Sequence, residues 1–197
     1  MKKTAILILA AGKSSRMGSP KQLLPYQNTT LLGWAIEQAK NSIATDVFCV
    51  LGANAVQVQQ SIEKKNIEII INKDFQNGLS SSIVAGINHL KTKKFDSVLI
   101  MLADQPNVNT DYLNKLITAS EENKNAITAS CYPNKIGVPA VFPKQYFNQL
   151  LQLKGDKGAK ELLNNSPYNI IKIKADNLKD IDTKEDYKNL MNDVSVS

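Results

Sequence analysis

The stretch that decides the fold is LILAAGKSSRMGSPKQLLP, Leu7–Pro25. Its Gly12-Lys13-Ser14 matches the end of a phosphate-binding P-loop, which needs a further glycine five positions upstream so that the loop can wrap the β-phosphate. That position is Leu7, inside the apolar run Ala5–Leu9, and a buried strand interior is not a wrapping loop. The dinucleotide fingerprint Gly-x-Gly-x-x-Gly fails as well, because no glycine lies between Gly12 and Gly18. What remains is a strand that runs into a loop carrying glycines, serines and the cations Lys13, Arg16 and Lys21. Arg16 is the single arginine of a chain that otherwise draws its basic charge from lysine. Its planar fork suits phosphate oxygens in a way that a lysine point charge does not.

Downstream, apolar runs alternate with helix-period segments. Strands are expected at Ala5–Leu9, Val47–Leu51, Ile67–Ile71, Val98–Leu102 and Ala126–Ala129, with helices at Leu31–Ser42, Ala55–Lys64, Ser80–Leu90 and Thr110–Ser120. This order implies βαβ units with right-handed crossovers, hence a mostly parallel sheet in a three-layer α/β/α arrangement. Beyond Pro133 the pattern is mixed: a strand Pro139–Phe142, helices Gln145–Leu151 and Lys157–Leu163, a strand Asn169–Ile173 and a last helix from Lys184. This half is expected to add a small β-lobe to the edge of the sheet, and Asn192–Ser197 reads as a frayed tail. At 197 residues, 43% of them hydrophobic, the chain suits one domain over 1–197.

Composition narrows the chemistry. The formal charge is +6, but the lysines are dispersed and only 6% of residues are aromatic, so no basic stripe with stacking residues points to nucleic acid. Lys2-Lys3 ahead of Ala5–Ala11 imitates a signal peptide, yet Lys13 and Arg16 stand where a cleavage region belongs, so a first buried strand is expected. No other run approaches a membrane span. Cys49 and Cys131 have no Cys or His at metal-ligand spacing and read as buried free thiols of a reducing cytoplasm. His89 is the single histidine, which removes His-based zinc sites and most Ser-His or Cys-His triads.

In an open α/β sheet, ligands bind outside the carboxyl ends of the strands, so polar residues just after a strand are the candidates. Beside the first loop, Gly78-Leu79-Ser80-Ser81-Ser82 opens a helix with more hydroxyls than capping needs. Asp104, two residues beyond a strand and followed by Gln105-Pro106, is placed like a Mg²⁺ ligand or an Asx turn. Asp180-Ile181-Asp182 turns two carboxylates to one side; one can cap the last helix while the other binds metal. Gly155-Asp156-Lys157-Gly158 is a glycine-rich helix entry suited to an anion, and Gly137-Val138-Pro139 is a turn into a strand.

Taken in order, LAAGKSSRMGSPKQLLP, GLSSSIVAGI, LADQP, GVPAVF, GDKGAK and DIDTKEDY cover nearly the whole chain. The sequence resembles the molybdenum-cofactor cytidylyltransferases, within the MobA-like NTP transferases. The resemblance implies a Rossmann-like nucleotidyltransferase fold and Mg²⁺-dependent attack by the phosphate of molybdenum cofactor on the α-phosphorus of CTP, releasing pyrophosphate. Matched by position, Leu9, Ala10, Ala11, Gly12 and Lys13 belong to the nucleotide site with Gly78, Ser81 and Ser82. Arg16 and Lys21 hold the triphosphate, Asp104 and Asp182 carry magnesium, and Arg16, Lys21 and Asp104 form the catalytic set. Gly137, Pro139, Gly155, Asp156, Lys157 and Gly158 fall to the acceptor. Guanylyl-transferring relatives have glycine at the place of Ala11, whose methyl narrows the base pocket toward a pyrimidine. Where the best-known cytidylyltransferases have histidine in the GVP turn, this chain has Val138. The implied partners are CTP, molybdenum cofactor and a recipient molybdoenzyme, with no nucleic acid or membrane. The alternatives are transfer to a sugar or alditol phosphate, or a non-catalytic carrier of molybdenum cofactor.

Overall fold

The computed structural model describes residues 2–164, 167–175 and 177–195. In chain order the elements are β1 (Thr4–Ala10), a short hairpin of β2 (Pro25–Tyr26) and β3 (Thr29–Thr30), α1 (Leu31–Lys40), β4 (Asp46–Leu51), α2 (Ala55–Ser61), β5 (Glu68–Ile71), α3 (Leu79–Leu90), β6 (Ser97–Leu102), α4 (Thr110–Glu122), β7 (Ile127–Tyr132), β8 (Lys135–Pro143), α5 (Phe147–Leu151), α6 (Lys160–Asn164), β9 (Ile170–Lys174) and α7 (Lys184–Ser195). Seven strands make one sheet in the order β5-β4-β1-β6-β8-β7-β9. Within it, β8 alone runs against its neighbours.

β1 is buried along its whole length because parallel partners flank it on both edges and helices cover both faces. Successive side chains point to opposite faces. Ala5, Leu7 and Leu9 pack with Ile83, Ile87 and Leu90 of α3 and with Phe147 and Leu150 of α5. Ile6, Ile8 and Ala10 pack with Leu32 and Ile36 of α1 and with Leu113 and Leu116 of α4. The result is the expected three layers. α3 approaches closest at Gly86, where a methyl would lie 2.3 Å from Leu7 Cδ2.

The second half adds β8, β7 and β9 to the edge of the same sheet past β6. β8 is longer than expected: Lys135, Ile136 and Gly137 pair with β7, the register shifts across Val138 and Pro139, and pairing resumes at Ala140. The stretch 192–195 belongs to α7 and is not a frayed tail; 196–197 lie outside the described residues. Cys49 is buried, which pushes its thiol up to about 12. Cys131 is only half-buried, because the last two residues of β7 are incompletely covered. Among the described residues, no helix is long and apolar enough to cross a membrane.

The chain moves from β1 to β4 and β5 on one side, then returns past β1 to β6 on the other. Strand order therefore reverses between β1 and β6, and the loops leaving their carboxyl ends diverge. A ligand crevice is expected at such a point.

Candidate active site

A cleft of about 530 Å³ opens there. β1 and its loop supply Leu9 to Lys13, Arg16 and Lys21; α3 and the residue before it supply Ser82 and Gly78; the segments after β6 and before α7 supply Asp104 and Asp182. The first loop is tied down by Gln22, whose Nε2 donates to Ala10 O at 2.9 Å and to Gly12 O at 3.0 Å. The Lys21 amide donates to Ser14 Oγ at 3.0 Å, and Ser14 sits at a φ of 54°. Gln22 is 3% exposed, and nothing in the linear sequence separates it from the exposed Gln57 and Gln59. Gly52 leaves room beside the loop: a Cβ there would lie 2.9 Å from the Ala11 methyl and 2.6 Å from Phe75 Cβ.

Three distant segments meet at Lys21. Its Nζ donates to Asp104 Oδ2, to Asp182 Oδ1 at 3.0 Å and to Ile181 O at 3.2 Å. Burial by itself lowers the Lys21 pKa, but the Asp104 and Asp182 carboxylates outweigh it and hold the ammonium above its ordinary 10.5. Burial pushes the Asp104 carboxyl above its usual range, with Lys21 pulling against it. Arg16 reaches Asp182 Oδ2 at 3.7 Å, with its side chain 71% exposed and open to a ligand.

Asp182 is held by the start of α7. Asp186 accepts hydrogen bonds from the Thr183 hydroxyl and amide, both at 2.7 Å, and from the Asp182 amide at 3.1 Å, while Thr183 Oγ1 accepts from the Asp186 amide. This is a capping box. Those hydrogen bonds hold the Asp186 carboxyl below its usual range. Thr183 and Asp186 thus cap the helix together, which leaves Asp182 to face the cleft; Asp180 also lines it.

The α3 start differs from expectation in one respect. Ser82 lines the cleft, but Ser81 lines a neighbouring pocket and donates its hydroxyl to Gly78 O at 2.8 Å, accepting from Asn72 Nδ2 at 2.9 Å. The Ser80 amide, at the helix start, donates to Gly155 O at 3.0 Å. A second pocket of about 380 Å³ adjoins the cleft and shares Leu9, Leu79, Leu102, Asp156 and Asp180 with it. Gly137, Asp156 and Lys157 line this pocket. Gly155 lies on the neighbouring pocket with Ser81, Gly158 packs under Leu79, and Pro139 O accepts from Ser130 Oγ at 2.6 Å. α6 has five residues, so the 155–158 entry is a turn against α3 and not a helix dipole site.

Among the described residues, no group of three or more His, Cys, Asp or Glu could hold a metal alone. Asp104 and Asp182 with phosphate oxygens are nevertheless a sufficient donor set for Mg²⁺, which is typically bound by one or two carboxylates plus substrate. Asp104 Oδ1 is buried without a hydrogen-bond partner, an acceptor that a cation would satisfy. Cations, carboxylates and backbone with no histidine nearby make a site for neutralising and positioning phosphates.

The family described as "MobA-like NTP transferase domain" matches residues 6–170. The purine catabolism protein PucB of Bacillus subtilis is 28% identical over 192 residues, 92% of each chain. The nicotine blue oxidoreductase of Paenarthrobacter nicotinovorans is 29% identical, over 94% of this chain and 95% of that protein. Rv0371C of Mycobacterium tuberculosis H37Rv, solved in complex with manganese, superposes with a TM-score of 0.81 at 26% identity, covering 98% of this chain and 99% of that one. A divalent metal thus accompanies this frame in a similar protein. The names of the relatives come from different chemistries.

Proposed function

The chain belongs to the MobA-like NTP transferase family, and on that premise we propose that it transfers CMP from CTP to the phosphate of molybdenum cofactor, with Mg²⁺. The observation that carries this reading is the meeting of Lys21, Asp104 and Asp182 at the switch point, with Arg16 open beside them. Nucleotidyl transfer needs positioning and charge neutralisation more than covalent catalysis. Arg16 and Lys21 bind the triphosphate and stabilise the charge that gathers on the leaving pyrophosphate. Asp104 and Asp182 would hold Mg²⁺, which supplies further neutralisation of the phosphates when bound. An acceptor phosphate oxygen forms the new bond to the α-phosphorus, and the bond to the bridging oxygen breaks with its electron pair leaving on pyrophosphate. The acceptor phosphate is already ionised at neutral pH, so no side chain needs to take a proton.

Ala11 bears on the base. Its methyl lies by Phe75 and Gly52 in the cleft wall, where it takes space from a purine's second ring. Exclusion by one methyl is worth about 1–3 kcal/mol, so the preference for CTP over GTP is partial and Ala11→Gly raises GTP use. The free thiols suit a reducing cytoplasm. The test is pyrophosphate release with each of the four NTPs, with and without purified molybdenum cofactor. Release that needs CTP and the cofactor together supports the reading; release that prefers GTP removes the cytidylyl assignment. Val138, where cytidylyltransferases of this type have histidine, is the observation favouring a second reading, transfer to a sugar or alditol phosphate, and the same assay with those phosphates tests it.

A further inference from the structure

Gln105 stands one peptide bond after Asp104 and lines the second pocket at 4% exposure. Its Nε2 donates to Asp180 Oδ1 at 2.7 Å and to Tyr132 Oη at 3.1 Å. The orientation of the amide follows from its partners. A carboxylate only accepts, and Tyr132 gives its own hydroxyl proton to Val138 O at 2.6 Å, so both neighbours require Nε2. With both amide hydrogens committed, Oε1 is left buried with no hydrogen-bond partner. An orphaned buried acceptor is costly, and this one is held in place by the two hydrogen bonds of its own amide nitrogen.

The geometry points to Gln105 as the residue that reads the acceptor: Oε1 accepts a hydrogen bond from a ring N–H or amino group of a nitrogen heterocycle in the second pocket. The pocket wall supports that class. Leu79, Ile83, Leu102, Ile136 and Val138 present apolar surface that suits the faces of a flat ring, beside the polar edge formed by Gln105, Asp156 and Asp180. Lys135, Lys157 and Lys160 line the same pocket and suit an anionic substituent on that ring. Asp180 lines both pockets, so the network holding Gln105 also reaches the nucleotide cleft. This assignment rests on the acceptor being the phosphate of a heterocyclic cofactor.

The experiment compares wild type with Gln105→Met, which keeps length and loses the amide, and Tyr132→Phe, which keeps the ring and releases one Gln105 hydrogen. KM and kcat are measured separately for molybdenum cofactor and for CTP, with CTP binding by calorimetry as the check on folding. Gln105→Met should raise KM for the cofactor by about tenfold or more and leave KM and binding of CTP within about twofold, as expected when a substrate donor loses its partner. Tyr132→Phe should move the same constant less. An unchanged cofactor KM, or a matching loss of CTP affinity, overturns the role of Gln105 while leaving the cytidylyl reading standing. If wild type uses glucose 1-phosphate and not the cofactor, the acceptor reading falls instead, and calorimetry with pterin-6-carboxylate then decides Gln105. Binding that Gln105→Met weakens keeps the assignment, and absent or unaltered binding overturns it.

Discussion

Lys21 sets one ammonium between two carboxylates in a wall that buries Asp104 almost completely. Removing one partner of a buried pair leaves an uncompensated charge, at a cost of about 3–5 kcal/mol. Lys21→Met should therefore lower the unfolding free energy by about 3 kcal/mol in urea titrations, and adding Asp104→Asn should restore most of it, since the buried charge is then gone. Asp104→Asn alone should reduce turnover by about a hundredfold or more, because an amide is a poor ligand for a hard cation. The pH dependence has a definite sign. The Lys21 pKa is raised in the folded state, so its contribution is complete below the ordinary 10.5 and is lost as pH climbs through the raised value. Wild type should thus lose urea resistance more steeply above that pH than Lys21→Met, and parallel curves would remove the pair as a source of stability. Arg16 and Lys21 were legible as candidate phosphate contacts because they follow a buried strand. Gln22, Asp180 and Gln105 were not legible in those roles, because a glutamine or an aspartate declares nothing until burial fixes its partners.

At the scale of elements, the start of α3 meets the 155–158 turn where both pockets share Leu79 and Asp156. Gly78 makes that contact possible. Its φ is +90°, and a methyl there would lie 2.3 Å from Asp156 Oδ1 and 2.6 Å from the Gly155 carbonyl. Gly78→Ala carries both a left-handed backbone penalty and a clash with backbone, together about 2 kcal/mol or more. Its denaturation midpoint should fall accordingly, with KM rising for both substrates; a variant as stable as wild type would show that the turn yields freely. Local pattern located the strand cores to within a residue or two for β1, β4, β5 and β6, because a buried parallel strand reads as an apolar run. It underestimated β8, whose Lys135 and Gly137 are individually poor strand formers held in place by pairing with β7. It missed the hairpin of β2 and β3, which is too short to show a period.

At the scale of the whole molecule, the carboxylates of the cleft are paired within the chain itself. Lys21 already supplies positive charge to Asp104 and Asp182, so chelation with EDTA should stop pyrophosphate release while shifting the melting temperature by less than about 2 °C. A fall of more than about 5 °C would mean that the metal holds the fold together. By itself, the sequence determined the layered α/β class, the direction of the central strands, and which loops end at a strand's carboxyl edge, because apolar runs and helix periods are local properties of the chain. It also marked Arg16, Lys21, Asp104 and Asp182 as candidates. Only the tertiary structure decided which of them meet. Lys21 and Asp104 are 83 positions apart, and Lys21 and Asp182 161 apart. Only the reversal of strand order between β1 and β6 brings such segments to one point. The assignment of Asp186 to the helix cap, the turning of Ser81 away from the cleft and the unsatisfied Gln105 carbonyl depend in the same way on burial and partner choice, which no linear pattern encodes.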